Sequence, residues 1–164
     1  MGTTTYNTRN DLSEKIRTTV IALLNQQLAD VIDLGLQVKF AHWNVKGPNF
    51  FSLHELFDKI AEELEDFIDD IAERAVELGG VALGTLQTIS RNSRLAAYPT
   101  DISAGTDHAR ALAAALAAYG ATVRLAIESA TTCGDAGTAD LLTGVSRGVD
   151  KQLWLVEAHL HADS

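Results

Sequence analysis

Cysteine, proline and basic charge are all scarce in this chain. Its single cysteine, Cys133, excludes an internal disulfide and suits a reducing compartment. Only two prolines in 164 residues leave few obligatory breaks in long helices. Thirteen Lys and Arg face 22 Asp and Glu, for a net charge of −9. That balance argues against nucleic acid as a default partner, because phosphate binding draws on basic side chains. It favours attraction of cations instead. The longest apolar run, AAALAAYGATV and its surroundings, is bounded by Arg110 and Arg124. It falls short of the roughly 20 residues of a membrane span, so no membrane partner is expected. The opening MGTTTYNTRND has no basic leader or apolar core and reads as a short tail, residues 1–12, not a signal peptide. Tyr6 also sits where a myristoylation motif needs Ser or Thr. A cytoplasmic protein with one domain over residues 13–164 is the expectation.

Alanine, leucine and carboxylates are plentiful, and their spacing is helical. A first helix is predicted from Ser13, a suitable N-cap, to about Val45, with Ile16, Val20, Leu24, Val31, Leu34 and Val38 inward. Gly47-Pro48 ends it. The second runs from about Phe50 to Leu78, and its stripe from Leu53 through Phe57, Ile60, Leu64, Phe67 and Ile71 steps by three and four. Residues 79–101 are long for a loop and predict a short helix around Leu83 to Asn92. A third long helix spans roughly Ser103 to Ala130, and a fourth Thr138 to His161 with Leu141, Val145, Val149, Leu153, Val156 and Leu160 inward. Short link, long crossover, short link is the connectivity of an all-α, ferritin-like four-helix bundle.

The second helix carries another stripe: His54, Asp58, Glu62, Glu65, Asp69 and Glu73. At about 100° per residue it lies well over 100° from the apolar one, and no Lys or Arg interrupts it. Stacked like charges cost roughly 0.2–0.5 kcal/mol per pair, which a bound cation or a basic partner would relieve. A solvated acidic face is the plain alternative. Asp58 and Asp69 are eleven residues apart, about 16 Å along the axis, so one ion cannot touch both on one helix. In an isologous contact, if residue i meets j then j meets i. The numbers 54 and 73 sum to 127, as do 58 and 69, so one antiparallel register brings His54 to Glu73 and Asp58 to Asp69 of a second copy. His42, at the end of the first helix, is folded back toward His54 by the NVKGPNF turn. Imidazoles mixed with carboxylates suit Fe(II), Mn(II) or Zn(II) better than Mg(II) or Ca(II).

The segments HWNVKGPNFFSLHELFD, DDIAERAVELGG and DKQLWLVEAHL resemble the Dps (DNA protection during starvation) proteins, the mini-ferritins, and the similarity extends from about Leu12 to His161. The resemblance implies a hollow dodecamer with ferroxidase centres at its twofold interfaces. There His42, His54 and Asp58 of one subunit and Asp69 and Glu73 of its partner would hold iron (Fe2+/Fe3+) in a dinuclear-type site, with Zn2+ or another divalent ion as a surrogate. It further implies oxidation of Fe(II), preferentially by hydrogen peroxide, and storage of Fe(III) as a mineral, protecting the cell from oxidative stress. Trp43 matches an aromatic beside the centre that intercepts stray oxidising equivalents, or else simply packs at a helix end. Asp140 resembles the acidic lining of a threefold pore, and Asp135 does so less closely. DNA-binding members often carry a lysine-rich tail, whereas residues before the first helix here offer only Arg9 and the final LHADS has no base. DNA binding is therefore expected to be weak or absent.

Rival readings are a nucleoid-associated DNA-binding protein with only secondary iron chemistry, an ordinary ferritin and a catalytically silent helical dimer. An intra-bundle ferritin centre needs Glu-x-x-His, and Glu157-Ala-His159 has the wrong spacing. GGVALG lacks the strand context of a dinucleotide fingerprint and reads as a helix stop. His108, His159 and His161 read as surface histidines, and Trp154 as core or interface.

Overall fold

The computed structural model describes residues 5–161, leaving the outermost residues of both predicted termini outside the described region. It contains α1 (Glu14–Asn44), α2 (Phe50–Glu77), α3 (Leu86–Asn92), α4 (Gly105–Cys133) and α5 (Ala136–Glu157). There is no strand among the described residues, only an isolated bridge between Lys46 and Ala104. Helices α1 and α2 form one antiparallel hairpin and α4 and α5 another. The two pack with α1 against α4 and α2 against α5.

Local signals set the helix ends. Ser13 Oγ accepts the Ile16 N–H at 3.3 Å, capping α1. Gly134 adopts φ 86° and closes α4 in a left-handed turn that a β-carbon would disfavour. Asp135 then caps α5, its carboxylate accepting the Thr138 N–H at 3.0 Å. The fourth long helix therefore starts earlier than its periodicity suggested and ends at Glu157, short of His161. The third continues past Ala130 to Cys133.

Between the helices, Leu24, Leu34, Phe57, Leu64, Leu112, Tyr119, Val149 and Val156 are completely buried. Each apolar side chain of this size contributes roughly 1.5–3 kcal/mol by leaving water. Ile16, Phe67, Leu141, Leu153 and Leu160 pack only partly against this core. Gly148 lets α5 close on α2, since a β-carbon there would stand 2.4 Å from Phe67 Cζ. Taken alone, α4 is long and apolar enough to cross a membrane, a property missed by counting only the run between two arginines. In the bundle its Leu112, Leu116, Tyr119 and Val123 are buried.

The long connection after α2 is fastened by polar residues of α1. Buried Asp30 receives the Arg94 backbone N–H at 2.8 Å and its Nε–H at 3.0 Å. Asn25 bonds Val81 and Leu83, and Gln26 bonds the Asn92 carbonyl. Lys46 N–H then donates to the Ser103 carbonyl at 2.9 Å, holding the far end of the crossover against the α1–α2 turn. Two expectations change here. His108 is fully buried, because it sits on the inner face of α4 one turn before Leu112. Of the two places expected for Trp154, core and interface, its 64% exposure on α5 removes only the core.

Candidate metal centre

His42 ends α1 and His54 lies in the first turns of α2, and the five-residue link 45–49 stacks their rings. The centroids are 3.7 Å apart with planes inclined by 21°. Each imidazole bonds the other's main chain: His42 Nδ1 to the His54 carbonyl and His54 Nδ1 to the His42 carbonyl, both at 2.9 Å. A carbonyl oxygen only accepts, so both Nδ1 atoms carry the proton. Both Nε2 lone pairs are thereby kept for another partner, the state in which a histidine ligates metal with its second nitrogen fixed by a backbone acceptor.

Asp58 lies one turn beyond His54. Its Oδ1 is 2.7 Å from Lys39 Nζ and 3.7 Å from His42 Nδ1. The Lys39 hydrogen bond, helped by the neighbouring charges and opposed by desolvation, holds the Asp58 carboxyl below its ordinary range. It is ready to bind a cation and already has one beside it. Lys39 also lies 6.0 Å from the centroid of the exposed Trp43 ring. The sequence reading overlooked Lys39 because it sought counter-charges only on α2. Its place one turn before His42 on α1 was the available signal.

Asp69 and Glu73 are exposed farther along the same face of α2. The structure brings His42, His54 and Asp58 together but leaves Asp69 and Glu73 apart from them. Among the described residues of one chain, no group of three His, Cys, Asp or Glu side chains is placed to hold a metal ion. The outer face of the α1–α2 hairpin is not purely acidic. Ile32, Leu36, Ala61 and Ile68 line a shallow groove beside Lys39 and Glu65. Phe51 is 71% exposed and Val76 54%. These two stand three residues before His54 and three after Glu73, so 51 and 76 also sum to 127.

At the other end of the bundle, Asp140 is exposed beside a hollow lined by Ile127, Thr131, Ala139 and Thr143. Asp135 is buried and structural. Arg74 Nη2 donates to it at 3.0 Å, and Thr138 Oγ1–H at 2.6 Å. Burial pushes its carboxyl up, but the hydrogen bonds from Thr138 and the Arg74 charge outweigh this and bring it below the usual range.

An all-α bundle with this connectivity is of the ferritin-like class, and residues 21–164 match the family model described as the ferritin-like domain. The chain is 48% identical to a DNA protection during starvation protein of Agrobacterium fabrum over 160 residues, covering 98% of this chain and 99% of that protein. It is 31% identical to the protein of that name from Brevibacillus brevis, covering 91% and 99%. Among solved structures it superposes on DpsA14 from Streptomyces coelicolor with a TM-score of 0.92 at 32% identity, covering 98% of this chain and 95% of that one. A Mycobacterium smegmatis Dps gives 0.88, also at 32% identity, covering 98% and 94%. The chain belongs to the Dps family of mini-ferritins.

Proposed function

We propose that the protein is a ferroxidase and iron-storage mini-ferritin whose metal centre is completed between two subunits. The observation that carries this reading is the reciprocal bonding of His42 and His54 through Nδ1, which frees both Nε2 atoms, with Asp58 Oδ1 3.7 Å from His42 Nδ1. Asp69 and Glu73 come from the partner in the antiparallel register. The exposed Phe51 and Val76 support that register, because it sets each opposite the other and gives the polar seam an apolar clasp at both ends. Fe(II) is the substrate. Two Fe(II) ions each give one electron to hydrogen peroxide, which takes up two protons and leaves as two waters, so no hydroxyl radical is released. The Fe(III) passes inward and is stored as a hydrated oxide within a dodecamer, with Asp140 drawing cations through its pores. Zn2+ serves as a redox-silent surrogate. Cys133 as a free thiol suits a cytoplasmic location.

Mixing Fe(II) with peroxide anaerobically, for wild type and Asp58→Ala, tests the assignment. Oxidation slows sharply in the variant; equal rates would remove the ferroxidase. A second reading, direct DNA binding, draws on the names of the relatives, which are DNA protection during starvation proteins. The net charge of −9 opposes it, and Arg9 is the only base among residues 5–12. A mobility-shift titration at physiological salt separates the two, and little or no shift is the expected result.

A further inference from the structure

Two tyrosines pack in the bundle in different chemical settings, Tyr119 buried and Tyr98 partly buried. Tyr119 is completely enclosed and its hydroxyl has no hydrogen-bond partner. Tyr98, in the connection before α4, places its hydroxyl 2.8 Å from Nδ1 of the fully buried His108. That distance is within the reach over which a base takes a proton. Nε2 of the same ring has no hydrogen-bond partner, so the contact with Tyr98 is where the polar chemistry of this imidazole lies. With the proton on Nε2, Nδ1 offers its lone pair and the phenol donates. Burial lowers the His108 pKa and raises that of Tyr98, so the phenol remains protonated and the imidazole neutral around neutrality.

A phenol that loses an electron becomes a strong acid, and oxidation is easiest where its proton already has an acceptor. We propose that Tyr98 and His108 form a redox-active pair that takes up one oxidising equivalent from one-electron oxidants of the peroxide-derived class. The electron leaves the Tyr98 ring for the oxidant. The phenolic O–H bond breaks and an N–H bond forms at His108 Nδ1, leaving a neutral tyrosyl radical beside an imidazolium. Fe(II) reverses the step by supplying the electron and becoming Fe(III), while the proton returns to the phenolic oxygen. The location suits such a role. Phe40 packs edge-on against Tyr98 with ring centroids 5.4 Å apart and lies tilted to His108 at 6.5 Å. Phe40 lies two residues before His42, about 200° round the helix, so the two side chains leave α1 on opposite sides. The source of the oxidant rests on the ferroxidase reading, but the chemistry of the pair does not.

The test uses the full chain without iron, photo-oxidised by ruthenium tris-bipyridine and persulfate and followed by paramagnetic resonance and transient absorption. Wild type gives a long-lived tyrosyl signal whose decay slows in deuterated water, because the proton must return. Tyr119→Phe retains the signal and Tyr98→Phe loses it. His108→Gln, which can accept the phenolic hydrogen bond but cannot take the proton, also loses it while keeping the wild-type circular dichroism. A long-lived signal surviving in Tyr98→Phe, or a wild-type lifetime and isotope effect in folded His108→Gln, would overturn the proposal. No iron is present, so the result is independent of whether the protein is a ferroxidase.

Discussion

Replacing Phe51 by Glu and Val76 by Lys, singly and together, tests the register on which the shared centre depends. A phenylalanine side chain offers about 150–250 Å². With 71% of Phe51 exposed in the subunit, the surface left for a partner to cover is on the order of 140 Å² per copy. At about 25 cal/mol per Å², that is roughly 3.5 kcal/mol per copy as an upper bound. Ordering costs and incomplete coverage reduce it, so about 3 kcal/mol for the two symmetric contacts is a reasonable expectation, a factor of over 100 in dimer dissociation. Neither residue belongs to the core, so helicity and the unfolding midpoint of the isolated subunit stay near wild type. Sedimentation over a dilution series reads the association, and Fe(II) oxidation on the same samples reads the centre.

The paired substitution makes the experiment specific. If residue 51 meets residue 76 of the partner, Phe51→Glu with Val76→Lys sets opposite charges face to face twice. Each such pair returns about 0.2–1 kcal/mol, so the double variant associates several-fold better than the additive expectation, and less so at high salt. Strict additivity of the two losses, with no salt-dependent recovery, would refute the register and with it the joining of Asp58 to Asp69.

Two further results are expected. In the proposed centre Lys39 competes with the metal for Asp58, so Lys39→Met is expected to bind Zn2+ several-fold more tightly by calorimetry; unchanged or weaker binding would show that Lys39 is not a competitor. The pH dependence of stability has two acid steps. His108 is held neutral below its ordinary pKa, so the unfolded chain binds more protons below about pH 6.5 and stability falls as pH drops through that point. Asp135, depressed in the fold, contributes stability that is present above the ordinary carboxylate range, about 3.9, and lost as pH falls below it. Denaturant midpoints against pH should lose the upper step in His108→Gln and show a smaller lower step in Asp135→Asn, the depressed Asp58 carboxyl keeping a share of it; both steps persisting at full size in both variants would exclude these causes.

The bundle was legible where a physical rule acts along one helix. The α2 stripe predicted its buried residues because a three-and-four repeat admits only one inward face, and Ser13 and Gly47-Pro48 marked their ends by capping and backbone geometry. Legibility failed where the deciding partner lies on another element. His108 read as a surface group because its burial depends on Tyr98 and Phe40, brought to it by the crossover and by α1. Asp135 resembled a pore residue, but Arg74 of α2 and the N-terminus of α5 claim its carboxylate. The distribution of α4's alanines did not fix its ends, because alanine is helix-forming without being directional. Within the candidate centre, the residue types were readable. The ring stacking, the fixed tautomers and the position of Lys39 were not, since they arise only when α1 and α2 fold against each other.

In the proposed arrangement helix α2 would serve two partners from two faces, with an energetic consequence. The face toward its own bundle is apolar, so folding of the subunit does not require any of the four proposed ligands on α2 to be buried in the core; His42, on α1, is the buried one. The outer face keeps its carboxylates hydrated in the subunit, and their mutual repulsion would oppose the proposed association with a second copy. A cation bound between the copies removes that repulsion and adds its own attraction, so metal and partner must strengthen each other's binding by the same factor. An intra-bundle centre would carry no such linkage, because its ligands would already share one chain. Ligands placed outside the core, as proposed, would therefore tie assembly to the supply of metal, and the Lys39 ammonium beside Asp58 would moderate that tie by giving the subunit a cation of its own.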